Sequence, residues 1–308
     1  MGEVRIENIQ YQEWGNAVRI TNGMVEAVVS IDFGPRVLRC GFVGGQNFFM
    51  ENTAKTLSAE GPEFEAFGGG KWYIYGGHRL WTSPEALPRT YYPDNAPVSW
   101  CATDNGAMFT PPAEKWTNIQ KEIEISLQPE GTVFTVDHRI TNVGPWPVEF
   151  AVWSLSVMTT GGTAIIPNAD RETGLLANRS VVLWPYSKMN DPRVTWGEKV
   201  TLIRQGNGPT PFKLGTPNEK GWAAYFLNNQ LFLKQHEHKI GGTYPDDGCS
   251  FESYVCDHFL ELETLGELRM AAPGEVLEHK ESWKLVDGID INLADETEIL
   301  GKTSELLD

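Results

Sequence analysis

Basic charge is scarce in this chain: 25 Lys and Arg stand against 41 Asp and Glu, a formal charge of −16 with pI near 4.8. Such a field repels phosphate backbones and anionic lipid surfaces, so neither nucleic acid nor a membrane is expected as a partner. Cysteine is also scarce, with four residues (Cys40, Cys101, Cys249, Cys256) and no C-x-x-C pair, which excludes a disulfide scaffold and the usual zinc spacings. No apolar run approaches the about 18 residues a membrane helix needs, and the opening MGEVRIENIQ lacks the basic and apolar regions of a signal peptide. A cytoplasmic protein is the expectation. The chain has no G-x-S-x-G elbow, no phosphate-binding loop, no dinucleotide fingerprint and no internal repeat.

Helical periodicity is missing too, until Asp295 offers a cap for a short segment through Leu300. What fills the chain instead is strands. Ala17–Ile20, Met24–Ile31 and Arg36–Phe42 alternate around the turn Asp32-Phe33-Gly34-Pro35, which places Arg36 at a strand start beside a sheet end. Glu122–Leu127 and Val133–Thr141 flank Pro129-Glu130-Gly131 as a hairpin whose second strand turns Phe134, Val136, His138 and Ile140 to one face, so His138 reads as a core residue. Glu149–Met158 is a nearly unbroken apolar run fitting a central strand. Trp222–Phe226 and Leu231–His238 form a second hairpin around Asn228-Asn229, and Phe251–Val255, Phe259–Leu265 and Glu278–Val286 complete the set. The reading is one all-β, antiparallel domain over residues 1–308, with a core from about 18 to 286 and a short tail at 287–308.

Three polar concentrations stand out. Gly76–Glu85 (GGHRLWTSPE), continued through TYYPDNAPV, is read as a loop carrying a proton-transfer group in His78, an oxyanion or hydroxyl grip in Arg79 and an apolar plate in Trp81. In Lys234–His238, alternation puts Lys234, His236 and His238 on one face. Two histidines at that spacing could meet a metal only with further ligands, so no metal and no cofactor is expected. YPDDGCS sets Tyr244, Asp246 and Asp247 on a turn, and FLELETL sends Leu260 and Leu262 to the core while Glu261 and Glu263 share the other face, where one carboxylate can act as general base.

FLELETLGELRMAAPGEVLEHKESWKLV, GGHRLWTSPE with YYPDN, and YPDDGCS resemble the galactose mutarotase-like, or aldose 1-epimerase, superfamily. The resemblance spans about Val18 to Val286 and implies an antiparallel β-supersandwich with a sugar on a concave sheet face. It implies that a carboxylate takes the anomeric hydroxyl proton while a histidine protonates the ring oxygen, so that the ring opens, C1–C2 rotates and closure gives the other anomer. Carried over, Glu263 is the base, with Glu261 in reserve, and His78 the acid. Arg36, Arg79, Trp81, Lys234, His236, Tyr244, Asp246 and Glu261 are substrate contacts, and a small sugar or sugar acid is the partner. Exposed sheet edges permit a homodimer. One departure is evident: the strand where the family carries a catalytic histidine reads ITNVGPWPVEFAVWSLSVM, with none after His138. Three outcomes stay open. His78, His236 or Tyr244 supplies the proton; the protein binds carbohydrate without turnover; or His236, His238 and a carboxylate support metal-assisted lyase or hydrolase chemistry.

Overall fold

The computed structural model describes residues 3–208 and 210–307; the ends of the 1–308 span and position 209 lie outside them. Two large antiparallel sheets pack face to face. One contains, in spatial order, Arg5–Gln10, Asn16–Thr21, Val25–Ser30, Val37–Phe42, Gly77–Ser83, Val148–Met158, Leu260–Leu265, Phe251–Val255, Phe212–Thr216 and Val182–Leu183, with Arg269–Ala271 beside the sixth of these. The other runs Val194–Trp196, Val200–Arg204, Thr163–Pro167, Trp222–Leu227, Gln230–His236, Val276–Val286, Val133–Asn142, Ile119–Leu127, Gly106–Thr110 and Ser99–Thr103.

Both hairpins expected from alternation form: Ile123 faces His138, and Trp222–Leu227 pairs with Gln230–His236 across Asn228 and Asn229. Both asparagines take positive φ (50° and 57°), a conformation that suits Asn in a two-residue turn. Val148–Met158 lies between Gly77–Ser83 and Leu260–Leu265, and its last nine residues are all buried. A strand covered on both faces has no need of polar alternation, which explains the nearly unbroken apolar run. The core between the sheets centres on Trp283, whose ring lies 5.6 Å from both Phe49 and Phe232.

Two sequence expectations need correction. Gly76–Glu85 is not a loop: Gly77–Ser83 is a strand of the first sheet, buried throughout. Its glycines serve the chain's own backbone, since a Cβ on Gly76 would lie 2.0 Å from the Met50 carbonyl oxygen and one on Gly77 2.3 Å from that of Val37. Strand structure also reaches outside residues 18–286, beginning at Arg5, and the tail holds a helix, Glu296–Ser304, whose first turn is capped by Asp295 accepting from the amides of Thr297 and Glu298. The four cysteines are unbridged. No helix among the described residues is long and apolar enough to cross a membrane.

Candidate functional site

The period of two along a strand sorts the side chains of the first sheet. Register pairs Arg79 with Leu155, Leu155 with Glu263 and Glu263 with Glu252; Glu261 pairs with Tyr254 and Tyr254 with Lys213. These residues, with Trp81 and Trp153, point away from the second sheet. His78, Ser154, Ser156 and Thr264 point toward it. One strand, Gly77–Ser83, therefore feeds two separate polar sites.

The outward site is a groove with aromatic walls. One lobe, about 490 Å³, is bounded by Trp72, Trp81, Trp153, Trp184 and Tyr254 and floored by Arg79, Lys213, Glu261 and Glu263. A second lobe of about 490 Å³ shares Glu85, Tyr91, Trp153 and Trp184 with the first and adds Asp246 and Glu252. Arg79 donates to Glu261 Oε1 at 2.9 Å and stacks over Trp81, 4.3 Å from the ring centre. Its Nε and Nη1 are buried without a partner. Lys213 Nζ lies 2.7 Å from Glu252 Oε2 and 3.0 Å from Glu263 Oε2, flanked by Trp153 and Trp184 at 4.8 and 4.5 Å.

Glu263 is wholly buried. Its Oε2 accepts from Trp153 Nε1 and Lys213 Nζ, both at 3.0 Å, and its Oε1 is buried and unpartnered. Burial pushes this carboxyl up to about 7, with Lys213 pulling against it and Glu261 adding to the rise. Burial likewise raises Glu252 well above the carboxylate range, against the pull of Lys213. For Lys213, burial opposes the charge, but the neighbouring Glu263 and Glu252 hold the ammonium well above its ordinary value. The two carboxyls cannot both be fully ionised beside one ammonium without leaving net charge in a dry wall, so the pair retains a proton near neutrality.

The inward site is a buried polar network between the sheets. His78 Nε2 lies 2.7 Å from His138 Nε2, and His78 Nδ1 lies 2.9 Å from Ser156 Oγ. His138 Nδ1 donates to the His279 carbonyl at 3.0 Å, and His279 Nε2 meets Thr264 Oγ1 at 2.7 Å. Glu281 Oε1 accepts from Ser154, Thr264 and Lys234, and its Oε2 accepts from Trp283 Nε1 at 2.7 Å. Burial above all holds the imidazoles of His78 and His138 below their ordinary value, with His236 down to about 4 and His279 to about 3. Among the described residues, His78, His138 and Glu281 come near enough to share a metal ion, their ligand atoms lying within 4.8 Å of one another. Both Glu281 oxygens are already occupied, however, and the Lys234 ammonium sits 2.8 Å from one of them, where a dication would be repelled.

Of the residues singled out from the sequence, Arg79, Trp81, Glu261 and Glu263 meet in the first lobe and Asp246 lines the second. The others do not join them. His78 lies one residue out of phase with Arg79, so it points through the sheet to His138 and shares no cavity with Glu263. Lys234 is buried between the sheets on Glu281. His236 packs beside Phe251 and His279, and the strand ends there, so His238 leaves the face and turns to Ser250. Tyr244 stacks on His238 beside a different cavity, lined also by His138, Lys239 and Glu267. Arg36 pairs with Asp94 next to a third cavity. Sequence reasoning missed Lys213 and Glu252. The available signal was a charged residue directly after the opening phenylalanine of a short strand, FKLGT and FESYV, where an ionised side chain is disfavoured unless paired.

No family model matches the chain, and no curated protein does. Solved structures do. A mutarotase candidate from Salmonella typhimurium aligns with TM-score 0.58 at 14% identity, covering 92% of this chain and 94% of that one. An aldose 1-epimerase candidate from Klebsiella pneumoniae aligns with TM-score 0.57 at 10% identity over 98% and 86%. The chain has the galactose mutarotase-like fold. A TPR-domain containing protein from Parabacteroides distasonis shows that this fold also occurs within longer chains: TM-score 0.61, 12% identity, 91% of this chain but 48% of that one. At these identities the likeness concerns the fold alone, and within it the groove described above is a property of this chain's own residues.

Proposed function

We propose that the protein is a carbohydrate-active enzyme of the aldose 1-epimerase type, in which Glu263 takes the proton from the anomeric hydroxyl. The observation that carries this reading is the Glu263 carboxyl, buried at the base of an aromatic groove, tethered through Oε2 with Oε1 free, and raised to about 7. A base poised near the working pH combines availability with driving force. The aromatic walls of the groove, with the half-buried Trp184 between its two lobes, offer apolar surface to a pyranose ring, and the unpartnered Arg79 Nε and Nη1 offer donors for its hydroxyls.

The groove favours a neutral sugar over a sugar acid. Its basic groups, Arg79 and Lys213, are already paired with Glu261, Glu252 and Glu263, and Glu85 and Asp246 add further acid along the rim. A uronate carboxylate would enter a field of its own sign.

Catalysed anomer exchange, measured by saturation-transfer NMR on neutral hexoses and uronates, tests the reading. Exchange on a neutral hexose that is lost in Glu263→Gln supports it. Sugar binding without any exchange, equal in both proteins, would replace it with a non-catalytic carbohydrate-binding module.

A further inference from the structure

Ring opening needs a proton on the ring oxygen as well as a base, and no histidine lines the groove among the described residues. We propose that Glu252 delivers that proton, an assignment that rests on the reading of Glu263 as the base. Glu252 is the direct cross-strand partner of Glu263, and both side chains are wholly buried. Lys213 Nζ touches one oxygen of each, at 2.7 and 3.0 Å, so those two oxygens lie within about 6 Å of each other. The other oxygen of each carboxyl, Oε1, is buried and unpartnered, and the residue Glu252 lines one lobe while Glu263 lines the other. The anomeric oxygen and the ring oxygen share carbon C1, so a sugar whose C1 sits between the lobes can present one to each carboxyl.

The competing donors are worse placed. His78 faces the opposite side of the sheet. Lys213 is held on its proton by the neighbouring carboxyl groups, Glu263 first, and burial raises the phenols of Tyr91, Tyr186 and Tyr254 above their usual range. Burial raises the Glu252 carboxyl well above the carboxylate range, the direction a proton donor requires.

The step balances without a co-reactant. The O1–H proton passes to Glu263 Oε1 while the O1 electron pair forms the C1=O1 double bond. The C1–O5 bond breaks with its electrons going to O5, which takes the Glu252 proton. After rotation about C1–C2, closure runs the same transfers backward on the other face and returns both protons. Glu263 gains a proton as Glu252 loses one, so the total charge of the two carboxyls beside the Lys213 ammonium stays constant through the cycle.

The test compares wild type, Glu252→Gln and Glu263→Gln across pH by anomer-exchange NMR on a panel of neutral hexoses. It adds difference infrared spectroscopy of wild type and Glu252→Gln at neutral pH. The expected results are a bell-shaped wild-type profile, a fall of about 100-fold in kcat for Glu252→Gln with KM little changed and the alkaline limb gone, and a carboxylic-acid carbonyl band that this substitution removes. Wild-type exchange that depends on Glu263 but proceeds at full rate with an intact bell in Glu252→Gln would overturn the assignment and leave the reading of Glu263 standing. Absence of the acid band in wild type would overturn it without reference to turnover. A wild type inert toward every sugar would overturn the epimerase reading and this role with it.

Discussion

Replacing Glu263 by glutamine removes a buried group that the folded protein would rather hold protonated, and the consequence for stability can be worked out. The folded carboxyl stands at about 7 against an ordinary value of 4.5. Because the folded value is raised, the native state binds the extra proton, so stability is undiminished below about 4.5 and declines as pH rises through 7. At roughly 1.4 kcal/mol for each unit between those values, wild type at pH 8 carries a cost of about 3 kcal/mol that it does not carry at pH 4.5. Glutamine has the same shape, can still accept from Trp153 Nε1 and Lys213 Nζ, and has nothing to ionise. Urea unfolding of both proteins at pH 5, 6.5 and 8 should therefore show Glu263→Gln gaining on wild type by about 2–3 kcal/mol across the series. Glu263→Gln would then be the more stable protein at alkaline pH, the trade expected if the buried carboxyl has the proposed role. A stability difference that stays constant from pH 5 to pH 8 would refute the reasoning, because the buried carboxyl would then carry no unusual proton affinity.

Other consequences follow from the same geometry. Lys213→Met withdraws the ammonium that holds Glu263 down, so the acid limb of the pH–rate profile should move to higher pH by a unit or more as an order of magnitude, measured with initial rates on a neutral hexose. In the network between the sheets the sign reverses. His236 is lowered by burial to about 4, so the stability it contributes is complete above the ordinary histidine value and is lost as pH falls below it. His236→Gln should gain about 2 kcal/mol on wild type between pH 7 and pH 5 in equilibrium unfolding. Lys234→Met leaves Glu281 with an uncompensated buried charge and should cost about 3–5 kcal/mol by the same measurement. Trp283→Ala should cost a similar amount, about 3–5 kcal/mol, through the cavity left among Phe49, Phe232 and His78.

Strand pattern carried most of the fold. Alternation in Ile119–Leu127 and Val133–Asn142, Asn228-Asn229 at a turn, and the apolar run of Val148–Met158 are local signals, and each corresponds to the element its period implies. Glu261 and Glu263 were legible for the same reason: a period of two separates them from Leu260 and Leu262, which pack in the core. What could not be read was phase in a strand with both faces buried. In Gly77–Ser83, His78 and Arg79 are adjacent letters, and when each face is polar, hydropathy does not say which one looks into a groove. The two glycines before that stretch also masked its strand character, since they serve close backbone packing and not a turn. Lys213 and Glu252 were legible only as lone charges in short strands, because their role is a pairing between strands separated in sequence: a charge in FKLGT or FESYV acquires it only when Glu263 is placed beside it.

The central claim is that the Glu263 carboxyl moves the anomeric proton. Saturation-transfer NMR of α/β exchange in neutral hexoses, at pH 7 with wild type and Glu263→Gln at equal concentration, tests it most directly. The account predicts exchange above the water rate with wild type and a loss of at least about 100-fold with the folded variant. Equal exchange in both proteins would contradict it.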